Sequence, residues 1–170
     1  MLFVGINPGL YTSAIGHHFG RPGNRFWSAL HRAGFTPRVL SPFEERELLG
    51  LGLGVTNVVN RATAAADELE DDAIRAGALS LARKVARLRP SFVAFFGMGA
   101  FRVGFARPKA IVGEQPERIG SSRVWLLPNP SGRTAGYQLG AIVRELAGLR
   151  QAALSARSST TTGSGRDVRR

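Results

Sequence analysis

The segment LFVGINPG, residues 2–9, places a short apolar run directly before an Asn-Pro-Gly turn. Residues 2–6 carry no polar interruption, which is typical of a strand buried on both faces of a parallel sheet. Beyond the turn, the apolar spacing from Phe26 to Leu30, with Asn24 before it and Gly34 after it, predicts a capped helix over residues 25–33. A strand, a loop and a helix in this order predict an α/β unit.

The same alternation continues along the chain. Further strands are predicted at residues 54–59, 91–96 and 124–127, and residues 107–118 are predicted to form a loop. Helical patterns are found at residues 43–49, 69–88, 99–105 and 138–154. Strands that alternate with helices predict an α/β fold, a three-layer α/β/α sandwich around a short, mostly parallel sheet.

The domain organisation follows from length and composition. A chain of 170 residues can bury one core without disulfides or metals. We expect one domain over residues 1–154. Residues 155–170 are rich in serine, threonine and glycine, are basic and lack apolar periodicity, so they are predicted to form a flexible tail.

The charge of the chain points to a polyanionic partner. Lysine and arginine number 23 against 12 acidic residues, which gives a formal net charge of +11. Such an excess favours nucleic acid. An alternative remains open, because nearly all the positive charge is arginine in a chain rich in alanine, glycine and proline, as a GC-rich genome would encode.

Several chemistries are excluded or disfavoured by composition. The chain has no cysteine, which excludes disulfides, thiolate metal sites and cysteine nucleophiles and is compatible with a cytoplasmic location. His17 and His18 are adjacent and would point in different directions, so we expect no metal and no other cofactor. No apolar run approaches the roughly 18 residues of a membrane span, so no membrane partner is expected. The patterns GxxxxGK[ST] and GxSxG are absent, which disfavours a small nucleotide-binding or hydrolytic α/β enzyme.

Two loops carry the candidate site. In a parallel sheet, ligands bind beyond the carboxyl ends of the strands, where residues 5–10 and 129–132 are expected. Asn7 offers both a donor and an acceptor but is no base at neutral pH, so it is suited to positioning a water molecule. Each loop alone is also compatible with a rigid turn built on an Asx motif. Their occurrence together, at equivalent strand ends, favours a binding site.

Phe19 lies outside any amphipathic period, among His18, Gly20 and Pro22. It is expected either to anchor the loop on the core or to offer a flat surface on which a planar base stacks. Stacking of this kind contributes roughly 1–3 kcal/mol per base.

Three segments together carry a family resemblance. GINPG (residues 5–9), GHHFGRPGNRFW (residues 16–27) and LPNPSG (residues 127–132) resemble the mismatch-specific uracil-DNA glycosylases, the branch that includes thymine-DNA glycosylase. The similarity extends from Leu2 to about Leu154 in order and spacing. Efficient uracil-DNA glycosylases are typified by an aspartate in the first motif and a histidine in the second, where this chain has Asn7 and Asn129.

The resemblance implies a monofunctional glycosylase that flips uracil out of a G·U mismatch and leaves an abasic site. Asn7 would hold the attacking water, and Phe19 would stack on the extruded base. The base pocket implied by the resemblance consists of Ile6, Pro8, Gly9, Thr12, Phe19 and Asn57. Backbone groups near Ile6 and Gly9 would read the polar edge of the base, and Thr12 would limit access of the thymine methyl group. Asn57 is also compatible with a buried amide on a strand.

The second loop is implied to enter the duplex as a wedge and to contact phosphates. Its candidate residues are Asn129, Pro130, Ser131, Gly132, Arg133 and Thr134. Bacterial mismatch enzymes have a leucine after NPSG and an arginine two places further, whereas this chain has Arg133 directly after the motif. A guanidinium can stack on or hydrogen-bond to guanine and still fill space, so the wedge role is assigned to Arg133.

Asp67 is a second candidate catalytic residue. By topology it follows the second strand on the same side of the sheet as Asn7, where a carboxylate could activate water. It is equally compatible with capping the helix that begins near Leu69.

The predicted partner is double-stranded DNA that contains a mismatched or damaged base. We expect a bacterial, cytoplasmic, nucleoid-associated monomer. The alternative function is a non-catalytic lesion-binding protein that uses the same pocket.

Overall fold

The computed structural model describes residues 1–132 and 138–162. At its centre is one five-stranded sheet in the order β2-β1-β3-β5-β4. The strands are β1 (Leu2–Gly5), β2 (Gly54–Asn57), β3 (Phe92–Phe96), β4 (Gly113–Ile119) and β5 (Ser122–Leu127). All neighbours pair in parallel except β4, which is antiparallel to β5. The predicted α/β fold with a mostly parallel sheet is confirmed.

Helices cover both faces of this sheet. The α-helices are α1 (Leu10–Ile15), α2 (Phe26–Arg32), α3 (Glu47–Gly50), α4 (Asp71–Leu88), α5 (Met98–Gly104) and α6 (Leu139–Thr162), with short 3-10 turns at Pro42–Glu44 and Ala66–Glu68. The alternation of β3 fixes the two cores: Phe92, Ala94 and Phe96 pack with α2 and α6, whereas Val93 and Phe95 pack with α4 and α5. Because successive strand residues point to opposite faces, a strand covered on both sides is apolar throughout.

Strand β4 differs from the sequence prediction. Residues 107–118 were expected to form a loop, yet Gly113–Ile119 forms the antiparallel edge of the sheet. Its sequence, GEQPERI, is mostly polar, and only Gln115 and Ile119 of this strand are buried. Pro116 lies where the pairing register shifts between Gln115 and Arg118, a position that tolerates the missing N–H.

Helix α6 is longer than predicted. The apolar pattern ends at Leu154, and the flexible tail was expected to begin at Ser155, but the helix continues to Thr162. Residues 155–162 contain neither glycine nor proline, so nothing in them terminates a helix that is already formed. The boundary between domain and tail stays a prediction. No helix in the parts of the chain that the structure describes has both the length and the apolar character needed to cross a membrane.

The strand order creates a crevice at one edge of the sheet. β1 and β3 are neighbours in the middle of the sheet. The chain continues from β1 to β2 on one side, and from β3 to β4 and β5 on the other side. Such a switch point, outside the carboxyl ends of the strands, is where open α/β sheets bind ligands.

Candidate functional site

A cavity of about 360 Å³ lies at this switch point. Its volume is at the small end of the range of roughly 300–1,000 Å³ for small-molecule sites. The β1 loop and α1 contribute Gly5, Ile6, Asn7, Gly9 and Thr12, and the following loop contributes Phe19, Arg21 and Asn24. The opposite side is formed by Asn57, by residues 63–66, by Phe96, and by Asn129, Pro130 and Ser131 of the loop after β5.

The side chain of Asn7 is held in one orientation. Its Nδ2 donates to the carbonyl oxygen of Arg61 at 3.0 Å and to Oγ1 of Thr63 at 2.7 Å. A carbonyl oxygen can only accept, so the amide nitrogen must be the atom that faces Arg61. Both N–H bonds are thereby used, and Oδ1 is the atom left to accept a hydrogen bond from a bound molecule.

Phe19 packs on the core and also lines the cavity. Its ring stacks on Phe26 with centroids 4.0 Å apart and planes at 14°, and its edge approaches Phe96. The backbone of Phe19 has a φ of +52°, a conformation that L residues rarely adopt. Phe19 therefore anchors its loop on the core, as one of the two interpretations predicted, while its position in the cavity wall is compatible with the other.

The floor of the cavity depends on Gly5. A Cβ atom at this position would lie 2.5 Å from Oδ1 of Asn57 and 3.2 Å from Cζ of Phe19. Only glycine allows these two side chains to approach the end of β1 so closely. Asn57, at the end of β2, thus faces the cavity and is only partly buried.

The second loop is a rigid turn joined to the first. Oδ1 of Asn129 accepts a hydrogen bond from the backbone N–H of Ser131 at 3.0 Å, so the Asx motif is present. The carbonyl oxygen of Pro130 accepts the backbone N–H of Arg25 at 2.9 Å. A Cβ atom at Gly132 would lie 2.7 Å from the carbonyl oxygen of Gly23, so the two backbones are in contact. The two loops therefore form one framework around the cavity.

Nine of the predicted site residues line the cavity, and three other described ones, Pro8, Asp67 and Gly132, do not. The cavity lining includes the predicted residues Ile6, Asn7, Gly9, Thr12, Phe19, Asn57, Asn129, Pro130 and Ser131. Pro8 and Gly132 are not among the lining residues. Pro8 instead uses its carbonyl oxygen to accept the N–H of Thr63 at 3.2 Å. Arg133 and Thr134 lie outside the described residues.

Asp67 does not cap α4, and its catalytic role stays a prediction. It is exposed, it is not among the lining residues, and α4 begins after Glu70. The carboxylate that organises this loop belongs to Glu68, which accepts the N–H groups of Ala64 and Ala65 at 3.3 and 3.1 Å. The predicted topology places Asp67 after β2, on the same side of the sheet as Asn7. It does not predict the direction in which the carboxylate points.

Sequence reasoning missed Arg21, Asn24 and Thr63 as lining residues. Asn24 was noted only as a helix cap, and its Oδ1 does accept the N–H of Phe26 at 2.9 Å. Thr63 is buried, and the Ala-rich segment around it gives no signal of its own. Among the described residues that line the cavity, Arg21 is the charged one. In the described part of the chain, no group of three or more His, Asp or Glu side chains could hold a metal ion.

Fold and site together define a three-layer α/β protein with a cavity at the switch point that is the size of a small ligand and is lined by amides and an aromatic ring. The family model of the uracil DNA glycosylase superfamily matches residues 1–147. The chain belongs to the uracil DNA glycosylase superfamily. Members of this superfamily are DNA glycosylases, hydrolases that act on DNA in base excision repair. The match is to the superfamily as a whole, not to one of its branches.

Proposed function

We propose that the protein removes uracil and related damaged pyrimidines from G·U mismatched duplex DNA and leaves an abasic site. The observation that carries this proposal is the Asn7 amide, whose N–H groups are both occupied and whose Oδ1 is left as an acceptor in a residue that lines the cavity of about 360 Å³. The G·U mismatch is proposed as the substrate because the sequence motifs resemble those of the mismatch-specific branch. The enzyme is proposed to act as a monomer.

The reaction requires that the target nucleotide leave the duplex, since its C1′ atom is unreachable within the stack. Phe19 then offers its ring to the extruded base, and Oδ1 of Asn7 accepts a hydrogen bond from a water molecule aimed at C1′. The C1′–N1 bond breaks, its electron pair leaves with the base, and the water oxygen bonds to C1′ while its proton passes to solvent or to the base.

The described residues that line the cavity include neither a carboxylate nor a histidine. Because an amide cannot remove a proton at neutral pH, the water is a weak nucleophile in this site. The glycosidic bond must therefore be largely broken before the water adds, and the rate should depend on how readily the base leaves. Backbone N–H groups of the loop can stabilise negative charge on the departing base.

Selectivity has two supports. A G·U wobble pair costs less free energy to open than a Watson–Crick pair, so flipping itself favours the mismatch. Thr12 is buried in the cavity wall, where its branched side chain takes up space beside the base. We propose that it disfavours the 5-methyl group of thymine.

The test is a single-turnover assay on duplexes that contain one G·U, A·U or G·T pair, followed by alkali to break abasic sites. We expect cleavage at G·U to exceed cleavage at A·U and G·T. Asn7→Ala should lower the rate at G·U by about 100-fold or more, since orientation of the water is lost. Asn60→Ala is the matched control. It removes an exposed amide from the same region of the structure, and Asn60 does not line the cavity.

The lack of a carboxylate among the described lining residues also favours a second candidate, a protein that binds the lesion without cleavage. Tight, lesion-dependent binding by the wild-type chain with no alkali-sensitive product would identify that function and contradict the first. Asp67→Ala tests whether Asp67 acts as a general base. Because its carboxylate is exposed and does not line the cavity, we expect the excision rate to change by less than about twofold. Loss of a general base would lower the rate by roughly 10²–10⁴-fold.

A further inference from the structure

The loop that carries Phe19 is tied to a carboxylate from a distant part of the sequence. Oε2 of Glu45 accepts the backbone N–H of His18 at 2.9 Å and contacts Nδ1 of the same residue at 3.1 Å. An ionised carboxylate can only accept, so Nδ1 of His18 is the protonated ring nitrogen. Oε1 of Glu45 lies 3.4 Å from Nδ1 of His17. One carboxylate thus contacts both histidines directly before Phe19.

Glu45 is built into the fold and does not reach the cavity. It lies between the 3-10 turn Pro42–Glu44 and α3, its side chain is only 18% exposed, and it is not among the lining residues. Burial acts to raise the pKa of the Glu45 carboxyl, but the hydrogen bonds from His18 and the proximity of the histidines outweigh it, and the pKa lies below its ordinary value. The carboxylate is therefore charged at neutral pH. Phe43 adds an edge-on contact to the His17 ring, with centroids 4.9 Å apart.

The conformation of Phe19 needs external support. A non-glycine residue at a φ of +52° is locally unfavourable and persists only where the surroundings determine it. On one side the ring is held by Phe26, and on the other the preceding peptide N–H is held by Glu45. Without the second contact, the loop can relax and move the ring along or away from the wall of the cavity.

We infer that Glu45 is a positioning residue for base excision, which holds the His17–His18 segment so that Phe19 presents its ring to the extruded base. This inference rests on the proposed function. It assigns to a residue outside the cavity a part in orienting the base relative to the water on Asn7.

The test compares Glu45→Ala and Glu45→Gln with Glu47→Ala. Glu47 is a matched control because it lies two residues further on, is exposed and pairs with Arg38 rather than with the loop. The single-turnover rate at saturating enzyme should fall by about tenfold or more in Glu45→Ala, since small displacements of a positioning group are costly. Glu45→Gln keeps an oxygen that can accept the His18 N–H and should recover part of the rate. The dissociation constant for an undamaged duplex should stay within about twofold, because phosphate contacts dominate that binding.

A double-mutant cycle with Phe19→Ala identifies the route of the effect. If Glu45 acts through Phe19, adding Glu45→Ala to Phe19→Ala should lower the rate no further. Equal rates for Glu45→Ala and Glu47→Ala, or effects of Glu45→Ala and Phe19→Ala that multiply, would overturn the inference.

Amide hydrogen exchange of residues 16–20, measured without DNA, separates this inference from the proposed function. The His18 amide should exchange about tenfold or more faster in Glu45→Ala than in the wild type, and Glu47→Ala should leave it unchanged. If the wild-type chain excises no base, the proposed function fails, and the exchange experiment still decides whether Glu45 holds the loop. If Glu45→Ala does not fold, Glu45→Leu, which keeps the bulk of the side chain but has no acceptor for the His18 N–H, supplies both readouts; unchanged exchange and an unchanged rate in Glu45→Leu would then overturn the inference.

Discussion

At the scale of single residues, the reactive geometry depends on a chain of hydrogen bonds that contains no charged group. Oγ1 of Thr63 accepts from Nδ2 of Asn7 at 2.7 Å and donates to the carbonyl oxygen of Ala65 at 2.6 Å. Because the hydroxyl hydrogen is committed to Ala65, the oxygen is available to Asn7 only as an acceptor. With both N–H groups engaged, Oδ1 is the atom of Asn7 left to accept a hydrogen bond from a bound molecule.

Replacing Thr63 by valine should therefore lower excision while leaving the shape of the site intact. The side chains are similar in volume, but Asn7 loses one of its two acceptors, and we expect the single-turnover rate to fall by roughly 10–100-fold. Thr63→Ser keeps the hydroxyl and should retain most of the rate. Thr36→Val is the control, since Thr36 is equally buried and its Oγ1 also donates to a backbone carbonyl, that of Arg38, but it does not line the cavity. Similar losses from Thr63→Val and Thr36→Val would contradict the role of the chain.

At the scale of elements, α4 is pressed against the segment that follows β2. A Cβ atom at Gly77 would lie 2.4 Å from the carbonyl oxygen of Val58. The N–H groups of Val58 and Val59 in turn donate to the carbonyl oxygens of Gly5 and Ile6, at 2.9 Å each. The absence of a side chain at Gly77 thus sets how closely a helix approaches the backbone that supports the cavity floor.

Gly77→Ala and Gly140→Ala should change stability in opposite directions. Alanine in place of glycine favours a helix by up to about 1 kcal/mol. At Gly77 this gain is exceeded by overpacking against a backbone carbonyl, so the free energy of unfolding should fall by roughly 1–3 kcal/mol. A Cβ atom at Gly140 in α6 meets nothing within 4 Å, so that variant should be unchanged or slightly more stable. Urea unfolding of both variants measures the difference; a stabilised Gly77→Ala would show that α4 can move away at little cost.

The elements that the sequence predicts well are those whose burial is local and continuous. β3 reads FVAFF, and no surface element tolerates such a run, so its place inside the sheet is evident. β4 was missed because an edge strand with a proline at an irregular register carries no apolar pattern. Among site residues, Asn7 and Phe19 stand in distinctive motifs, whereas Thr63 and Glu45 matter only through partners 56 and 27 residues away. Those pairings exist only once the strand order is known.

At the scale of the whole molecule, the total net charge does not say which arginines could contact phosphate. Several acidic side chains are already paired locally: Glu44 and Glu47 with Arg38, Asp71 and Asp72 with Arg75, Glu114 with Arg123 and Glu117 with Arg107. The hydrogen bond from the Arg38 guanidinium lowers the pKa of the Glu44 carboxyl to about 2. These pairs leave the net charge of +11 unchanged, and the question is which of the described arginines face DNA bound at the cavity.

Arg75 is a comparison residue for this question. Its guanidinium pairs with Asp71 and Asp72 in the first turn of α4, at 3.1 and 2.8 Å, and it is not among the residues that line the cavity.

Arg21, in contrast, is exposed at the cavity itself. We expect Arg21→Gln to weaken binding to a G·U duplex of about 12 base pairs and to reduce the slope of log K against log salt by roughly 0.9, the value for one lost phosphate contact. Arg75→Gln removes the same charge and should leave the slope unchanged, because Arg75 is already paired with two carboxylates away from the cavity lining. Fluorescence anisotropy titrations between about 50 and 200 mM salt measure both slopes. If Arg75→Gln lowered the slope and Arg21→Gln did not, DNA would have to lie along α4 rather than across the carboxyl ends of the strands, and the cavity would not be where the duplex is held.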